Sequence, residues 1–218
     1  MSAARADDRT RRDHILDAAA MVIAERGVDA ARLADIAEAA DVSLGLVQHY
    51  FRHRDRLLAE VFRRESERID ATWRSVVDPA APPLERLVDY LRLCTPQGSP
   101  DAALAFGPGW AFWIEFWSKA HREPSVREEV TGVYASFAAL FEAAIADGVR
   151  AGVFTLQAPA ADVVDRLVSL IDGAAVRTLL GALDGDRMLA LLVDALALEL
   201  GLSAADAAAA GAYARRPA

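Results

Sequence analysis

The chain has 218 residues with a formal net charge of −8, and 54% of the residues are hydrophobic. That length supports one large core or two modest domains, and no stretch of about 20 residues is apolar throughout, so we predict no transmembrane helix and no membrane partner. The polar N-terminus lacks the apolar run of a signal peptide, and the single cysteine, Cys94, cannot form an internal disulfide, so we expect a cytoplasmic protein.

Apolar residues recur at helical spacing along the chain, without the alternation typical of strands, and this pattern predicts an all-α fold. The fourth predicted helix is expected to bury Trp73 and Val76, and the alanine-rich tail after Ser203 is expected to fray. In chain order, the predicted helices cover about residues 7–26, 32–40, 43–50, 54–77, 84–94, 110–121, 124–151, 160–183 and 187–200.

The net negative charge argues against a nucleic-acid partner, but its distribution weakens that objection. Residues 1–64 carry 11 Arg and 11 Asp or Glu, so the whole excess of negative charge lies in residues 65–218. An acidic C-terminal part can keep the protein soluble while a local basic surface of the N-terminal part meets phosphate.

Residues 31–58 predict a helix, a tight turn and a second, short helix. Ala37 and Ala40 are small where the two helices must approach closely, Val42 is apolar inside the turn, and Ser43 is a good N-cap for the second helix. A short helix of this kind is useful when its exposed end enters the major groove of DNA. Its outer face then consists of Ser43, Leu44, Gly45, Gln48 and His49.

The side chains of this outer face suit direct reading of bases. Gln48 can bond the edge of adenine in two places, Leu44 can meet a thymine methyl, and His49 can bond phosphate or base edges. The alternative for the same residues is a solvated helix face. His49 and His53 lie four residues apart, but no third ligand is in view, so we predict no metal site. The predicted DNA-binding residues are Arg32, Ser43, Leu44, Gly45, Gln48, His49, Tyr50 and Arg54.

A longer pattern runs through the same stretch and consists of Ile36, Ala37, Val42, Ser43, Gly45, His49, Phe51, Asp55, Leu57 and Leu58. It resembles the signature of TetR-family transcriptional regulators. The resemblance implies a three-helix helix-turn-helix DNA-binding domain at residues 1–53 and a helical ligand-binding and dimerisation domain at residues 54–218, with helix 54–77 connecting them. Four residues depart from the family's usual glycine, threonine, tyrosine and lysine, respectively: Asp41, Arg32, Gln48 and Arg54.

The C-terminal part resembles the BetI-type branch of that family in three segments, FWIEFWSKAHREPSVREEV, IADGVRAGVF and LVSLIDGAAVRTLLGAL. This branch includes choline-responsive regulators. A transfer of choline to this chain on body resemblance alone is analogy.

Aromatic residues cluster in the sixth predicted helix, where Trp110, Trp113 and Trp117 fall on one helical face. Core packing and the wall of a ligand pocket are both open interpretations of the cluster. In a pocket, Glu115 and His121 could supply polar contacts, and the rings could hold either a cation or an apolar ligand. The predicted ligand-binding residues are Phe106, Trp110, Trp113, Phe116, Trp117, His121, Tyr134 and Phe137.

The last two long helices resemble the pair that forms the family's dimer interface as a four-helix bundle. A dimer with two-fold symmetry would place two recognition helices about one DNA turn apart on a palindromic site. The alternative is that the apolar residues of these helices are interior. The predicted interface residues are Val164, Leu167, Val168, Ile171, Val176, Leu179, Leu192 and Leu196.

These features together predict a homodimeric repressor that a small-molecule inducer releases from a palindromic operator on double-stranded DNA. An activator of the same family, or a helical ligand-binding protein without DNA activity, remains an alternative. We expect neither an enzyme nor a cofactor, because the sequence has no glycine-rich phosphate loop, no Gly-x-Ser-x-Gly and no His/Cys metal set.

Overall fold

The computed structural model describes residues 2–96, 98 and 106–216, and within these ranges it describes the side chains of all residues except 2–8, 106–108 and 125. The described chain is all-helical, without a strand, as the sequence predicts. Its helices are α1 (Ser2–Arg26), α2 (Leu33–Ala39), α3 (Leu44–Phe51), α4 (Arg54–Val76), α5 (Pro83–Leu93), α6 (Phe106–Arg122), α7 (Pro124–Arg150), α8 (Ala160–Leu179), α9 (Gly185–Glu199) and α10 (Ala204–Ala214).

The chain forms two compact units, the first made of residues 1–69 and 111–132 and the second of residues 70–110 and 133–218. Helices α4, α6 and α7 each contribute residues to both units. The first compact unit therefore extends beyond residue 53. The predicted functional boundary between residues 53 and 54 stays a prediction.

The core of the first unit is built from the apolar faces of α1 and α4. Ile15 and Ile23 of α1 are fully buried, as their helical spacing predicts, and so is Leu57 of α4. The same core is closed by Phe62 of α4, whose ring contacts the ring of Phe116 of α6 at 4.6 Å between centroids. Aromatic pairs at this separation add about 0.5–1.5 kcal/mol beyond their burial.

Charged residues join α1 to α4 along the edge of this core. Arg64 pairs with Asp17 at 3.0 Å, and Arg68 reaches the same carboxylate at 3.4 Å. Arg68 also lies 3.4 Å from Glu65, whose side chain is buried. Burial raises the pKa of Glu65, and the nearby Arg68 opposes this only in part.

The second unit contains an aromatic cluster and the α8–α9 helix pair. Trp73 of α4 stacks on Tyr90 of α5 at 5.6 Å and meets Phe137 of α7 at 4.6 Å, and Phe141 of α7 completes the cluster. Helices α8 and α9 are joined by a short connection at Leu180–Asp184 and pack against each other.

Four sequence-based expectations are wrong in detail. The tail after Ser203 is not frayed: Ser203 caps α10, and α10 packs on α5 and α9. Val76 is exposed and the neighbouring Val77 is buried in its place. Helix α6 begins at Phe106 and not at Trp110. Helix α8 ends at Leu179 and not at residue 183, because Gly181 adopts a left-handed φ of 71° that ends a helix.

By length and composition alone, residues 126–150 of α7 could cross a membrane, with a mean hydropathy of 1.3 in their most apolar window. A single helix of this kind is weak evidence for a membrane span, since the helices of soluble proteins also meet that description.

Candidate DNA interface and effector site

Helix α3 is fixed at its start by a side-chain cap. The Ser43 backbone is extended, with φ −71° and ψ 145°, and its hydroxyl oxygen accepts a hydrogen bond from the backbone N–H of Leu46 at 3.2 Å. This confirms the predicted N-cap. The cap satisfies one of the free N–H groups of the first turn and contributes about 1 kcal/mol to helix stability.

One face of α3 is anchored in the first unit and the other is exposed. Val47 and Phe51 are both fully buried, and the guanidinium of Arg12 lies 5.4 Å from the Phe51 ring centroid. This burial fixes the rotation of the short helix about its axis. The predicted outer face is indeed exposed at Ser43, Leu44, Gly45, Gln48 and His49.

The turn between α2 and α3 has a left-handed residue at Asp41, with φ of 49°. Glycine adopts this conformation without strain, and Asp or Asn are the side chains that tolerate it best. Asp41 therefore fills the position of the family's usual glycine while keeping the turn that aims α3.

Gly45 lies in the first turn of α3, and a Cβ built on it meets only the Ser43 hydroxyl oxygen, at 3.9 Å. The fold itself therefore does not require a glycine here. An exposed site without a side chain lets another backbone approach α3 closely.

The structure places the other three predicted DNA-binding residues in different environments. Arg32 is exposed immediately before α2. Tyr50 is half-buried, with its ring edge-to-face against His49 at 5.5 Å. Arg54 is committed to the protein itself: its Nε donates to the carbonyl of Ala31 at 2.8 Å and its Nη2 donates to the carbonyl of Val28. Its phosphate contact stays a prediction.

One functional candidate escaped the sequence analysis, and one named residue makes a different contact from the one expected. Arg52 ends α3 with a left-handed φ of 54° and is exposed beside the outer face of the helix, where a cation can meet phosphate. Glu115, expected as a polar contact for a ligand, instead accepts a hydrogen bond from the backbone N–H of Val28 at 2.8 Å. No local sequence signal could reveal a contact between residues 87 positions apart.

The predicted ligand-binding residues separate into the two units. Trp113 and Phe116 pack on Phe62 in the first unit, at 5.4 and 4.6 Å, as core residues do. Trp117 is half-buried and His121 is exposed in the same unit. The side chain of Phe106 lies outside the described residues. The second unit contains Trp110, Tyr134 and Phe137.

The second unit brings a half-buried carboxylate to Tyr134. The Tyr134 hydroxyl donates a hydrogen bond to Asp172 of α8 at 2.7 Å. Burial raises the pKa of Asp172, although the hydrogen bond from Tyr134 opposes this. Burial and the adjacent Asp172 raise the pKa of Tyr134, so the phenol stays a neutral donor.

Cys94 and Trp110 lie in the same region of the second unit. Burial, and secondarily the charge of Asp172, raise the pKa of the Cys94 thiol, so it is inert as a nucleophile. The indole Nε1 of Trp110 donates to the carbonyl of Cys94 at 3.3 Å. The Cys94 thiol donates to the carbonyl of Tyr90, which belongs to the aromatic cluster, at 3.3 Å.

Asp172 has no cationic partner among the side chains that the structure describes: its one hydrogen bond there comes from a neutral phenol. The sequence from Cys94 to Ser118 contains no Lys or Arg at all. A half-buried carboxylate without a positive partner is costly, and such groups occur where function requires them.

Five predicted interface residues prove to be interior, and for them the predicted dimer contact is corrected. A side chain that is buried within one protomer has no surface left for a partner, so the alternative interpretation holds for Val164, Leu167, Ile171, Leu192 and Leu196. Val168, Val176 and Leu179 are half-exposed. Sequence analysis missed the apolar residues that do face outward, of which Leu198 is 80% exposed and Leu180 is 76% exposed.

Among the described residues, no group of three or more His, Cys, Asp or Glu side chains could hold a metal ion.

Two family models match most of the chain between them. A model described as "Bacterial regulatory proteins, tetR family" matches residues 15–61, and one described as "BetI-type transcriptional repressor, C-terminal" matches residues 83–201. The first match contains α2, α3 and the capped turn, and the second contains the Asp172 carboxylate and the α8–α9 pair.

Individual relatives agree with these matches. An "HTH-type transcriptional regulator BetI" from Paraburkholderia phymatum is 29% identical over 181 residues, which span 81% of this chain and 83% of the relative. A transcriptional regulator from Saccharomonospora viridis, solved in complex with choline, superimposes with a TM-score of 0.75 at 27% identity, covering 84% of this chain and 93% of that one. A TetR-family regulator from a Rhodococcus species shares the fold, with a TM-score of 0.76 at 23% identity and coverage of 88% and 99%.

Proposed function

Because this chain belongs to the tetR family of bacterial regulatory proteins, with a BetI-type C-terminal region, we propose that it is a cytoplasmic homodimeric repressor that a small organic cation releases from a palindromic operator. Like the other members of the family, it is a DNA-binding transcriptional regulator. The single observation that carries the cationic effector is Asp172, a half-buried carboxylate that has no described cationic partner.

The proposed DNA binding rests on α3. Its cap and its buried anchors fix the helix, so that Gln48 and His49 present their polar groups outward. These side-chain types read base edges in the major groove. Arg32 and Arg52 are exposed cations near the two ends of the α2–α3 motif and suit the flanking phosphates.

The proposed dimerisation rests on the outer surface of α8 and α9. Leu180 and Leu198 are large, apolar and exposed in the single chain, and Gly173 is open to close approach of another helix. Exposed apolar side chains on paired helices favour a self-complementary interface. Substitution Leu198→Glu is expected to give monomers in light scattering. The control Val153→Glu changes another exposed apolar residue, one that lies outside the two helices, and it should leave the dimer intact.

The proposed binding of a cationic effector rests on a negative charge and on aromatic rings in the second unit. The carboxylate of Asp172 supplies the negative charge, and the Tyr134 hydroxyl orients this carboxylate. Trp110 belongs to the same region, because its indole donates a hydrogen bond to the carbonyl of Cys94, whose thiol is close enough to Asp172 to respond to its charge. A carboxylate combined with aromatic rings binds organic cations by Coulomb attraction and by the ring faces. Choline is the natural first candidate, because a relative of the same fold is known in complex with it.

The proposal is tested with the full-length protein and DNA from upstream of its own gene. Wild-type protein should shift one palindromic fragment in a gel, and millimolar choline chloride should reverse the shift. The neutral isostere 3,3-dimethylbutan-1-ol, which lacks the positive charge, should leave the complex intact. Equal release by both compounds would contradict a charge-based site, and binding to no upstream fragment would contradict the operator.

A further inference from the structure

The loop at residues 27–31, between α1 and α2, is held by side chains from two other helices. The backbone N–H of Val28 donates to Oε2 of Glu115 on α6 at 2.8 Å. On its other side, Arg54 of α4 donates to the carbonyl of Val28 and, at 2.8 Å, to the carbonyl of Ala31. The backbone N–H and the carbonyl of Val28 therefore each have a charged side chain as partner. All these residues belong to the first unit.

The sequence leaves room for this contact at Gly27. This glycine has a left-handed φ of 84°, and a Cβ placed on it would lie 2.9 Å from Oε2 of Glu115. Any other residue would thus strain the backbone and displace the carboxylate. Val28 is only 2% exposed, so its N–H has little access to water as a substitute partner.

A second contact joins the same loop to α6 but differs in exposure. Arg122 pairs with Asp29 at 3.2 Å, with side chains that are 55% and 76% exposed. Glu115 and Arg122 lie seven residues apart, which places them on the same side of α6. Exposed ion pairs contribute little, whereas a hydrogen bond from a buried N–H to a carboxylate is hard to replace. The two contacts therefore offer a matched comparison.

The loop leads directly into α2, which packs against α3. Helix α6 also carries Trp110, five residues before Glu115. Because Glu115 is part of α6, a movement of this helix carries the carboxylate with it, and the loop must follow or lose its hydrogen bond. Phe116, next to Glu115, holds this part of α6 on α4 through Phe62.

We propose that Glu115 is a positioning residue for operator binding: its hydrogen bond to Val28 sets the α2–α3 motif according to the position of α6. The inference rests on the proposed function, because it assigns to one side chain the link between α6 and the α2–α3 motif that is proposed to read DNA. Arg54 completes the same clamp from α4, and its guanidinium acts on the loop.

Three full-length variants test this assignment. Glu115→Ala removes the acceptor, Glu115→Gln keeps an amide oxygen in the same place, and Asp29→Ala removes the exposed contact to the same helix. We expect Glu115→Ala to weaken operator binding about tenfold, the size expected for one lost hydrogen bond to a charged acceptor. Glu115→Gln and Asp29→Ala should stay within about twofold of wild type, because an acceptor remains in the first and the second removes only an exposed pair.

Hydrogen exchange supplies a readout that needs neither DNA nor effector. In Glu115→Ala, the amides of Val28 and of α2 should exchange faster, whereas in Asp29→Ala they should exchange at the wild-type rate. All assays are run at least 15 °C below the melting temperature of each variant, so that a loss of global stability does not mimic a loss of positioning.

The third measurement is the effect of operator DNA on choline binding. The ratio of choline affinities without and with operator DNA measures the coupling between the two sites. In Glu115→Ala this ratio should fall towards one while choline affinity without DNA stays within about twofold of wild type.

The outcomes separate the inference from the function on which it rests. Wild-type protein that binds no upstream fragment defeats the proposed function, and the inference falls with it. Wild-type binding with an equally tight Glu115→Ala complex, or an Asp29→Ala loss as large as that of Glu115→Ala, overturns the inference alone. Wild-type operator binding without any choline effect removes the proposed effector but leaves the operator and exchange results to decide the role of Glu115.

Discussion

Substitution Asp172→Asn should make the free protein more stable and the effector complex much weaker. Burial raises the pKa of Asp172 above its ordinary value of 3.8, so folding disfavours the ionised carboxylate. The stability that goes with this raised pKa is present below the unfolded-state value and is lost as the pH rises through the folded-state value. At pH 7 the wild type therefore carries an unfavourable, half-buried charge. The asparagine amide removes this charge, while its oxygen still accepts a hydrogen bond from Tyr134.

The loss of effector affinity follows from the contacts that remain. An interaction with a charged group contributes about 1.5–3 kcal/mol to the free energy of binding. Attraction by the rings, about 0.5–2 kcal/mol for a cation, is untouched by the substitution. Removal of the charge alone should thus weaken choline binding by about 1.5–3 kcal/mol, roughly 10- to 150-fold. The neutral isostere should bind wild type and variant equally weakly.

Calorimetry measures both effects on one preparation. Titration with choline chloride gives the affinity, and scanning calorimetry at pH 7 and at acidic pH gives the stability of the free protein. The melting temperature of Asp172→Asn should exceed that of wild type at pH 7, and the difference should shrink as the pH falls towards 3.8. Tyr134→Phe, which keeps the carboxylate, is the control and should retain most of the affinity. A lower melting temperature at pH 7, or unchanged choline binding, would refute the reasoning.

Three further predictions concern stability. Ser43→Ala removes the cap on the Leu46 N–H and should lower the free energy of unfolding in urea by about 1 kcal/mol, whereas Ser43→Thr should retain most of it; equal stability of all three would contradict the cap. Glu65→Gln should raise the melting temperature at pH 7, because burial raises the pKa of Glu65, and the gain should fade as the pH drops towards 4.5; a gain that grows in acid has the wrong sign. Tyr213→Phe breaks the 3.0 Å hydrogen bond from α10 to Asp89 and should lower the free energy of unfolding by about 1 kcal/mol, a loss that a freely fraying tail would not show.

The DNA-reading motif was predictable because its determinants are local. Ser43 predicts an N-cap. Val47 and Phe51 are spaced to share one face of the helix, and Gln48 lies outside that face. Local patterns of this kind depend only on neighbours along the chain. The structure accordingly confirms the cap and the exposed outer face.

The proposed effector region was only partly predictable, because Asp172 resembles any polar residue of a helix. Asp172 precedes Gly173 in a helix that contains two other aspartates, and nothing local shows that it is half-buried against Tyr134, 38 residues away. Aromatic residues are conspicuous in a sequence, yet Trp113 and Phe116 pack in the first unit while Trp110 and Tyr134 lie in the second.

Helical periodicity identifies a buried face but does not say what buries it. The apolar stripe of α8 and α9 fits either a partner subunit or the interior of the protomer, and Leu167 and Leu192 are covered within the protomer itself. In the tail, alanines carry little periodic signal, so the docking of α10 through Ala210 and Tyr213 was missed. In both places the tertiary structure decided what the local pattern left open.

The central claim is that α3 of each protomer reads one half of a palindrome, and hydroxyl-radical footprinting of the upstream DNA tests it most directly. Wild-type protein should protect two half-sites whose centres lie about one helical turn, roughly 34 Å, apart. Gln48→Ala, which alters an exposed residue and should leave the dimer intact, should abolish the protection or shift its sequence preference. Protection without two-fold symmetry, or a Gln48→Ala footprint identical to that of wild type in affinity and sequence, would contradict the account.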